Sequence, residues 1–305
     1  MVAFLLLSPS HPDLSSQQAV ASEDEPILRN EIYQIAQEFY SEEELRRSRI
    51  GYASIIQQLK LRINPATSPT AAIQSINDYI FGEFGMAYEK SQDNIDNALV
   101  PSVIVKKQGN CIGIATLYLM IAEDLGLPLH GVAAPNHFFS RLMTKNGPIN
   151  IELADDGNIH PDSDYVERYK IPEDLTGTVY LRTLSKRETL GYVRANLGVA
   201  FYKRGDSNKA ISFFEASLKE TGDQPDTYSN LGASYLGINS INKAVPNLKK
   251  AIAMWPTRAS YHANLAQAYK DDNQKVLAVS EYETAIELDK SIEPLLRNNL
   301  NELKR

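Results

Sequence analysis

The sequence contains one cysteine, Cys111, and the histidine His137 follows it 26 positions later. An ionised thiol is a strong nucleophile, and a nearby imidazole can hold the proton that the thiol loses. A carboxylate behind the imidazole would orient the ring. Together these groups would attack an acyl carbon such as that of a peptide amide. The alternative is that Cys111 is a small buried side chain, because free cysteine is among the most buried residue types.

The residues around Cys111 predict the start of a helix. The apolar run from Cys111 to Leu125 has apolar residues on nearly every side, which indicates a buried helix, and Gly126 is a typical end. The thiol would then lie at the helix N-terminus, where unpaired N–H groups and the helix dipole favour the ionised form. Asn110, or the backbone N–H of Cys111, is the candidate support for an oxyanion.

The segments after this helix predict antiparallel strands, with HFFSRLM and PINIEL joined by the turn TKNG. A loop centred on Lys145 and Asn146 makes Glu152 a diagonal neighbour of His137. A turn one residue later places Asp156 opposite His137 instead. We therefore predict Glu152 as the acid, with Asp156 in reserve. The acidic stretch ELADDGNIHPDSDY, which begins at Glu152, is interpreted as a solvated loop.

Upstream, residues 26–84 are predicted to be helical. Ser41 and Glu44 have the spacing of a capping box, and Ser68 precedes a proline at the first helical position. Two further histidines, His130 and His160, flank the predicted hairpin and lack the spacing of metal-ligand pairs. We therefore expect neither a metal site nor a cofactor.

Residues 70–155 resemble the SirB-type branch of the transglutaminase-like superfamily. The matching segments are INDYIF…FG, GNC, LYLMIAEDLGLPLHGV and PNHFFSRL. The resemblance implies a papain-like α+β core, in which a buried helix precedes antiparallel strands. It also implies Cys111, His137 and the acid at position 152 as the catalytic triad, with glutamate where aspartate is usual.

From position 191 the sequence repeats every 34 residues. Leucine recurs three times, at Leu197, Leu231 and Leu265, and a small residue follows each leucine. Aromatic residues recur three positions later, and alanines recur further along each unit. This pattern resembles the tetratricopeptide repeat, a helix-turn-helix unit that stacks into an all-α solenoid.

The resemblance to this repeat implies a concave groove that binds a protein or peptide partner. Mapped onto the repeat, the groove does not carry the Lys/Asn/Arg clamp that holds a terminal carboxylate. As an alternative, the repeats are a docking surface for the N-terminal domain. The groove positions that we single out are Tyr192, Tyr202, Leu236, Gln267 and Lys270.

The formal net charge of −7 gives no reason to expect nucleic acid as a partner. The run Val2 to Leu7 is too short to span a bilayer, and no lysine or arginine precedes Arg29. We therefore expect a cytoplasmic protein without an integral membrane segment. The alternative is an exported or periplasmic protein whose N-terminus is a truncated signal peptide.

The predicted organisation has four parts. They are a leader or remnant signal at 1–25, a helical and transglutaminase-like domain at 26–183, repeats at 184–292 (191–224, 225–258 and 259–292) and a capping helix at 293–305. The predicted function is thiol acyl transfer or hydrolysis, protease- or amidase-like, on a protein or peptide amide. The repeats would recruit a partner. The alternative is an inactive scaffold or regulatory protein that acts through protein binding.

Overall fold

The fold is that of a computed structural model, which describes residues 27–64, 66–91 and 93–304. The predicted leader at 1–25 lies outside these ranges. Helices come first, a small sheet follows, and a second helical region ends the described chain. The elements before the sheet are α1 (Leu28–Ala36), α2 (Glu42–Arg62), α3 (Pro69–Asn77), β1 (Ala87–Tyr88), α4 (Val100–Lys106), β2 (Gln108–Gly109) and α5 (Cys111–Leu125).

The helix starts follow the predicted caps. Ser41 and Glu44 form a full capping box at the start of α2, and Ser68 caps α3. Asn110 caps α5, because its Oδ1 accepts a hydrogen bond from the N–H of Gly113 at 3.0 Å. The first two turns of α5 and much of its remainder are buried, as the apolar run predicts. The helix ends at Gly126, which adopts a left-handed conformation.

A four-stranded antiparallel sheet packs against α5, with the strand order β3-β4-β5-β6. Thr144 pairs with Gly147, so Lys145 and Asn146 are the two turn residues of the β4–β5 hairpin. This is the first of the two registers considered above. The strands are β3 (Leu129–Ala134), β4 (His137–Thr144), β5 (Gly147–Glu152) and β6 (Asn158–Ile159).

The acidic stretch after β5 is more ordered than its composition indicates. It contains β6 and then the start of α6 (Asp162–Tyr169), whose Tyr165 is buried. The interpretation as a solvated loop is therefore wrong for this part of the chain. Turn-forming residues dominate the stretch, but an aromatic side chain packed against the sheet holds the helix in place.

The C-terminal region consists of three antiparallel helix hairpins and one further helix. Small residues allow the paired helices to touch: a Cβ added at Gly198 would lie 2.7 Å from Phe214, and one at Gly232 would lie 2.6 Å from Leu248. The helices are α7 (Lys186–Lys203), α8 (Ser207–Thr221), α9 (Pro225–Gly237), α10 (Ile241–Met254), α11 (Ala259–Asp271), α12 (Lys275–Leu288) and α13 (Glu293–Lys304).

The repeats pack against the N-terminal region through shared apolar cores. One core runs from α1 and α5 into α7 and α8, and includes both Cys111 and Leu197. A second core joins Phe139 of the sheet to Trp255 and Tyr261 of the later repeats. The solenoid therefore has a fixed place beside the sheet.

The connector between α6 and α7 contributes to this arrangement. The N–H of Leu181 donates to the carbonyl oxygen of Ala133 at 2.9 Å, and the N–H of Leu184 donates to that of Gly131 at 3.0 Å. Thr183 also forms a bridge with Val132. The connector thus runs beside β3 and leads directly into α7.

Candidate active site

The structure brings Cys111, His137 and Glu152 together in one buried cluster. His137 Nε2 lies 2.7 Å from Oε2 of Glu152, as the diagonal register predicts. Cys111 and His137 line the same pocket, and the thiol is among the groups that raise the pKa of His137. Because Nε2 is occupied by the carboxylate, Nδ1 is the ring atom left for the thiol. Cys111 is only 6% exposed, at the first position of α5.

The environment favours the protonated form of His137. Burial is the largest single influence and lowers the pKa of the imidazole. Hydrogen bonds and charge interactions with Cys111 and Glu152 outweigh burial and raise the pKa of His137 to about 9. The ring is therefore held as an imidazolium between a sulfur atom and a carboxylate at neutral pH.

Glu152 is held by three hydrogen-bond donors. Its Oε1 accepts from the N–H of Ala154 at 2.9 Å, and its Oε2 accepts from the hydroxyl of Tyr165 at 3.0 Å as well as from His137. Burial raises the pKa of Glu152, but these bonds and the His137 charge together lower it below the usual value. The carboxylate is therefore ionised and fixed in orientation.

Aromatic rings enclose the histidine. The rings of Phe139, Tyr165 and Tyr169 each have their centroid about 6 Å from that of His137. Sequence analysis missed both tyrosines, although their spacing of four residues places them on one side of a helical turn. Tyr88 was also missed. Burial, with the nearby charges of Cys111 and Glu152, raises the pKa of Tyr88 to about 12.

The structure places the candidate oxyanion groups beside the thiol. The backbone N–H of Cys111 is one of the first amides of α5, which have no acceptor within the helix. The side chain of Asn110 is 1% exposed and is occupied by the cap. Its Nδ2 also donates to Oδ1 of Asn196 in α7, at 3.4 Å.

The remaining acids and histidines do not join this cluster. Asp156 is exposed and lies beyond the end of β5, so it does not approach His137. His160 contacts Asp155 and Asp164 at the surface. Within the described ranges, no group of three His, Cys, Asp or Glu side chains is arranged to hold a metal ion.

A pocket of about 90 Å³ opens beside Cys111 and His137. The N-terminal domain lines one side of this pocket and the first two repeats line the other. Of the groove residues predicted from the sequence, Tyr192 lies in this pocket. The solenoid residues that line the pocket are Tyr192, Ala195, Asn196, Val199, Gln224, Asp226, Thr227 and Asn230.

The other predicted groove residues lie outside this pocket. Tyr202 is 41% exposed, and Leu236 is half-buried against the core. Gln267 donates to Asp271 and accepts from Tyr282. Lys270 donates to side chains of α13. The groove of the third repeat is therefore partly filled by contacts within the chain.

No helix in the described part of the chain is long and apolar enough to cross a membrane. Two curated relatives, from two strains of Xylella fastidiosa, are each called "UPF0162 protein" and are 23% identical to this chain. One match spans 266 residues, which is 84% of this chain and 92% of the relative. The other spans 213 residues, 67% of this chain and 75% of the relative.

Similar solved structures include the Sgt2 tetratricopeptide domain from Aspergillus fumigatus, which is 23% identical, covers 38% of this chain and 78% of that chain, and has a TM-score of 0.36. A family model for the tetratricopeptide repeat matches residues 259–292. A second family model, described as the transglutaminase-like superfamily, matches residues 30–191, more than half of the chain. The chain therefore belongs to the transglutaminase-like superfamily, and it carries a tetratricopeptide repeat near its C-terminus.

Proposed function

We propose that this protein is a thiol-dependent acyl-transfer enzyme or hydrolase, protease- or amidase-like, that acts on a protein or peptide amide. The observation that carries the proposal is the buried cluster in which Cys111 and His137 line one pocket and His137 bonds to Glu152. This arrangement supplies a nucleophile, a proton carrier and a group that orients the carrier. All three side chains are buried, so neighbouring atoms restrict their orientations.

In the proposed reaction, Cys111 as a thiolate attacks the amide carbon and forms a carbon–sulfur bond. The carbon–nitrogen bond then breaks, and His137 gives its proton to the departing amine. Water next attacks the thioester, while His137 takes one of its protons and the thiolate leaves. The products are an amine and a carboxylic acid, and Glu152 keeps the ring oriented in both steps. We propose hydrolysis rather than cross-linking, because no motif in the sequence indicates a pocket for a second, amine substrate.

The repeats support a protein or peptide as the substrate or partner. The combination of a transglutaminase-like domain with a tetratricopeptide repeat suggests a role in protein interaction. The first two repeats, including the predicted groove residue Tyr192, line the pocket beside Cys111. A partner bound there would lie next to the thiol.

Alkylation by iodoacetamide tests the proposal directly, because the chain has a single cysteine. A free cysteine is only a few per cent thiolate at pH 7. We therefore expect His137→Ala to slow alkylation of the native protein at pH 7 by about tenfold or more. The control is His262→Ala, because His262 forms a similar pair with Glu281 in the solenoid.

A thiol that reacts only after denaturation, or that reacts equally fast in His137→Ala, would contradict the proposal. The protein would then act as a non-catalytic scaffold in which the repeats bind partners. Native alkylation that depends on His137 and not on His262 supports the enzyme.

A further inference from the structure

The pocket beside the thiol has one wall made by the solenoid. Tyr192 and Asn196 of α7 and Asn230 of α9 line it opposite Cys111 and His137. The bond from Asn110 to Asn196 ties this wall to the cap of the cysteine helix. The pocket is therefore formed jointly by the transglutaminase-like domain and the first two repeats.

Tyr192 carries a hydroxyl group without a partner. The oxygen is buried and has no hydrogen-bond partner in the part of the chain that the structure describes. The ring packs against Phe138, with 5.8 Å between the ring centroids, so the side chain is held in place. Burial also raises the pKa of Tyr192, which keeps the hydroxyl protonated. A buried polar group left unpaired is costly, which points to a ligand that supplies the missing bond.

Asparagines recur at the same position of all three repeats, at Asn196, Asn230 and Asn264. The first two line the pocket, but Asn264 does not, and it donates to Ser229 at 3.0 Å. Asn230 lines the pocket, and the bond it accepts from the hydroxyl of Ser234 at 2.8 Å uses its backbone carbonyl and not its side chain. Its carboxamide thus presents both a donor and an acceptor to the pocket.

We propose that the concave face of the first two repeats is the substrate-binding wall of the thiol site, where Tyr192 and Asn230 hydrogen-bond the backbone of an extended polypeptide. This inference rests on the proposed function and names its substrate class. A carboxamide and a phenol match the C=O and N–H groups that every peptide unit offers. The volume of about 90 Å³ favours a small side chain at the reacting residue, since sites for drug-sized ligands are several times larger.

Two thiol reagents separate backbone recognition from simple reactivity. The probe is chloroacetyl-tetra-alanine amide, which carries a chloroacetamide group on a peptide backbone, and the reference is chloroacetamide itself, which has the same reactive group and no peptide. Each forms a carbon–sulfur bond with Cys111 and releases chloride. We expect the full-length protein to react with the peptide reagent at least about tenfold faster, which corresponds to one or two hydrogen bonds.

Tyr192→Phe and Asn230→Ala should each slow the peptide reagent by about 3- to 10-fold and leave the chloroacetamide rate unchanged. Tyr192→Phe should also keep or raise the melting temperature, because it removes an unpaired hydroxyl. The matched controls are Tyr202→Phe, an exposed tyrosine of the same repeat, and Asn264→Ala, the same repeat position outside the pocket. Both controls should leave both rates unchanged.

The outcomes are distinct. A thiol that reacts with chloroacetamide but gains nothing from the peptide overturns this inference and leaves the proposed function standing. Variants that slow both reagents equally overturn it as well, since they indicate a general effect on structure. A thiol inert to both reagents overturns the proposed function together with the inference.

Discussion

The hydroxyl of Tyr165 donates to Oε2 of Glu152 across 3.0 Å, and the same oxygen lies 2.7 Å from His137 Nε2. The tyrosine therefore holds the carboxylate that holds the imidazole. Its ring also stacks on Phe139, with 4.1 Å between the ring centroids. Tyr165 is a positioning residue, because it acts on the thiol only through Glu152 and His137.

Tyr165→Phe keeps the stacked ring and removes the hydrogen bond. We expect the free energy of unfolding to fall by about 1 kcal/mol, the usual net value of one such bond. Alkylation of Cys111 at pH 7 should slow by about 2- to 5-fold, because the imidazole is less firmly oriented. Chemical denaturation and iodoacetamide kinetics measure the two effects.

Tyr169→Phe is the matched control for this variant. Tyr169 lies on the same helix and stacks beside His137, but no hydrogen bond joins its hydroxyl to Glu152. Tyr169→Phe should leave the alkylation rate of Cys111 within about twofold of the native value. Equal effects of the two variants would remove Tyr165 from its positioning role.

The members of the cluster were predictable because local rules determine their positions. A capping asparagine before an apolar run marks the start of α5 and so places Cys111. The two-residue turn then determines the register that joins His137 to Glu152. Tyr165 was not predictable in the same way, because its place depends on how α6 packs against the sheet.

The place of the solenoid was predicted only as an alternative, in which the repeats are a docking surface for the N-terminal domain. A repeat pattern specifies contacts between neighbouring repeats and says little about what the array packs against. The sequence therefore predicted Tyr192 as a groove residue, but it did not predict that Tyr192 lies beside the thiol. The signal that existed was weak: asparagines at 196 and 230 recur in register but resemble any polar residue on a helix.

The pH dependence of stability should reveal the charged state of His137. Its pKa is about 9 in the folded protein, against a usual value of 6.5. Because the folded state binds the proton more tightly, the stabilisation is complete below about pH 6.5 and is lost as the pH rises through about 9. We expect the contribution of His137 to the free energy of unfolding to fall over this window.

Glu152→Gln should reduce this fall, because it removes a charge that favours the imidazolium. Denaturant unfolding at several pH values between 6 and 9.5 measures the effect. Glu281→Gln, which alters the His262 pair in the solenoid, is the control and should keep the native dependence. If Glu152→Gln and the native protein lose the same stability over this window, the charge interaction between His137 and Glu152 does not cause the loss.

Gly113 is predicted to be irreplaceable near the thiol. A Cβ at this position would lie 2.2 Å from the carbonyl oxygen of Asn97, which also accepts the N–H of Asn110 at 2.8 Å. Gly113→Ala must therefore displace backbone at the start of α5. We expect it to lower the free energy of unfolding by about 2–4 kcal/mol and to slow alkylation of Cys111.

Gly82→Ala tests whether this loss is specific. A Cβ at Gly82 meets no atom within 4 Å, so the change should alter stability by less than about 1 kcal/mol. Urea unfolding of both variants gives the comparison. A tolerated alanine at position 113 would show that the start of α5 can move freely.

Asp226 is predicted to couple the two parts of the chain. It accepts hydrogen bonds from Tyr180 of the connector at 2.7 Å and from Tyr261 of α11 at 2.6 Å. Both phenols are almost fully buried, and Asp226→Ala removes the carboxylate to which both hydroxyls donate. We expect a loss of about 2–5 kcal/mol in the free energy of unfolding.

Asp223→Ala is the matched control for that loss. Asp223 also accepts from a tyrosine, Tyr228, and from Lys250, but these groups lie at the surface. Its removal should cost less than about 1 kcal/mol. Equal losses for the two aspartates would argue against a coupling role for Asp226.

The connector that runs beside β3 has a consequence for the behaviour of the chain during synthesis. An open sheet edge is a template on which a second chain can add a strand, and so it promotes aggregation. Here the connector covers β3 by bonding to Gly131 and Ala133, but it emerges only after the whole sheet is complete. Until then the nascent sheet has an uncovered edge, so this step is where a chaperone would protect the protein most.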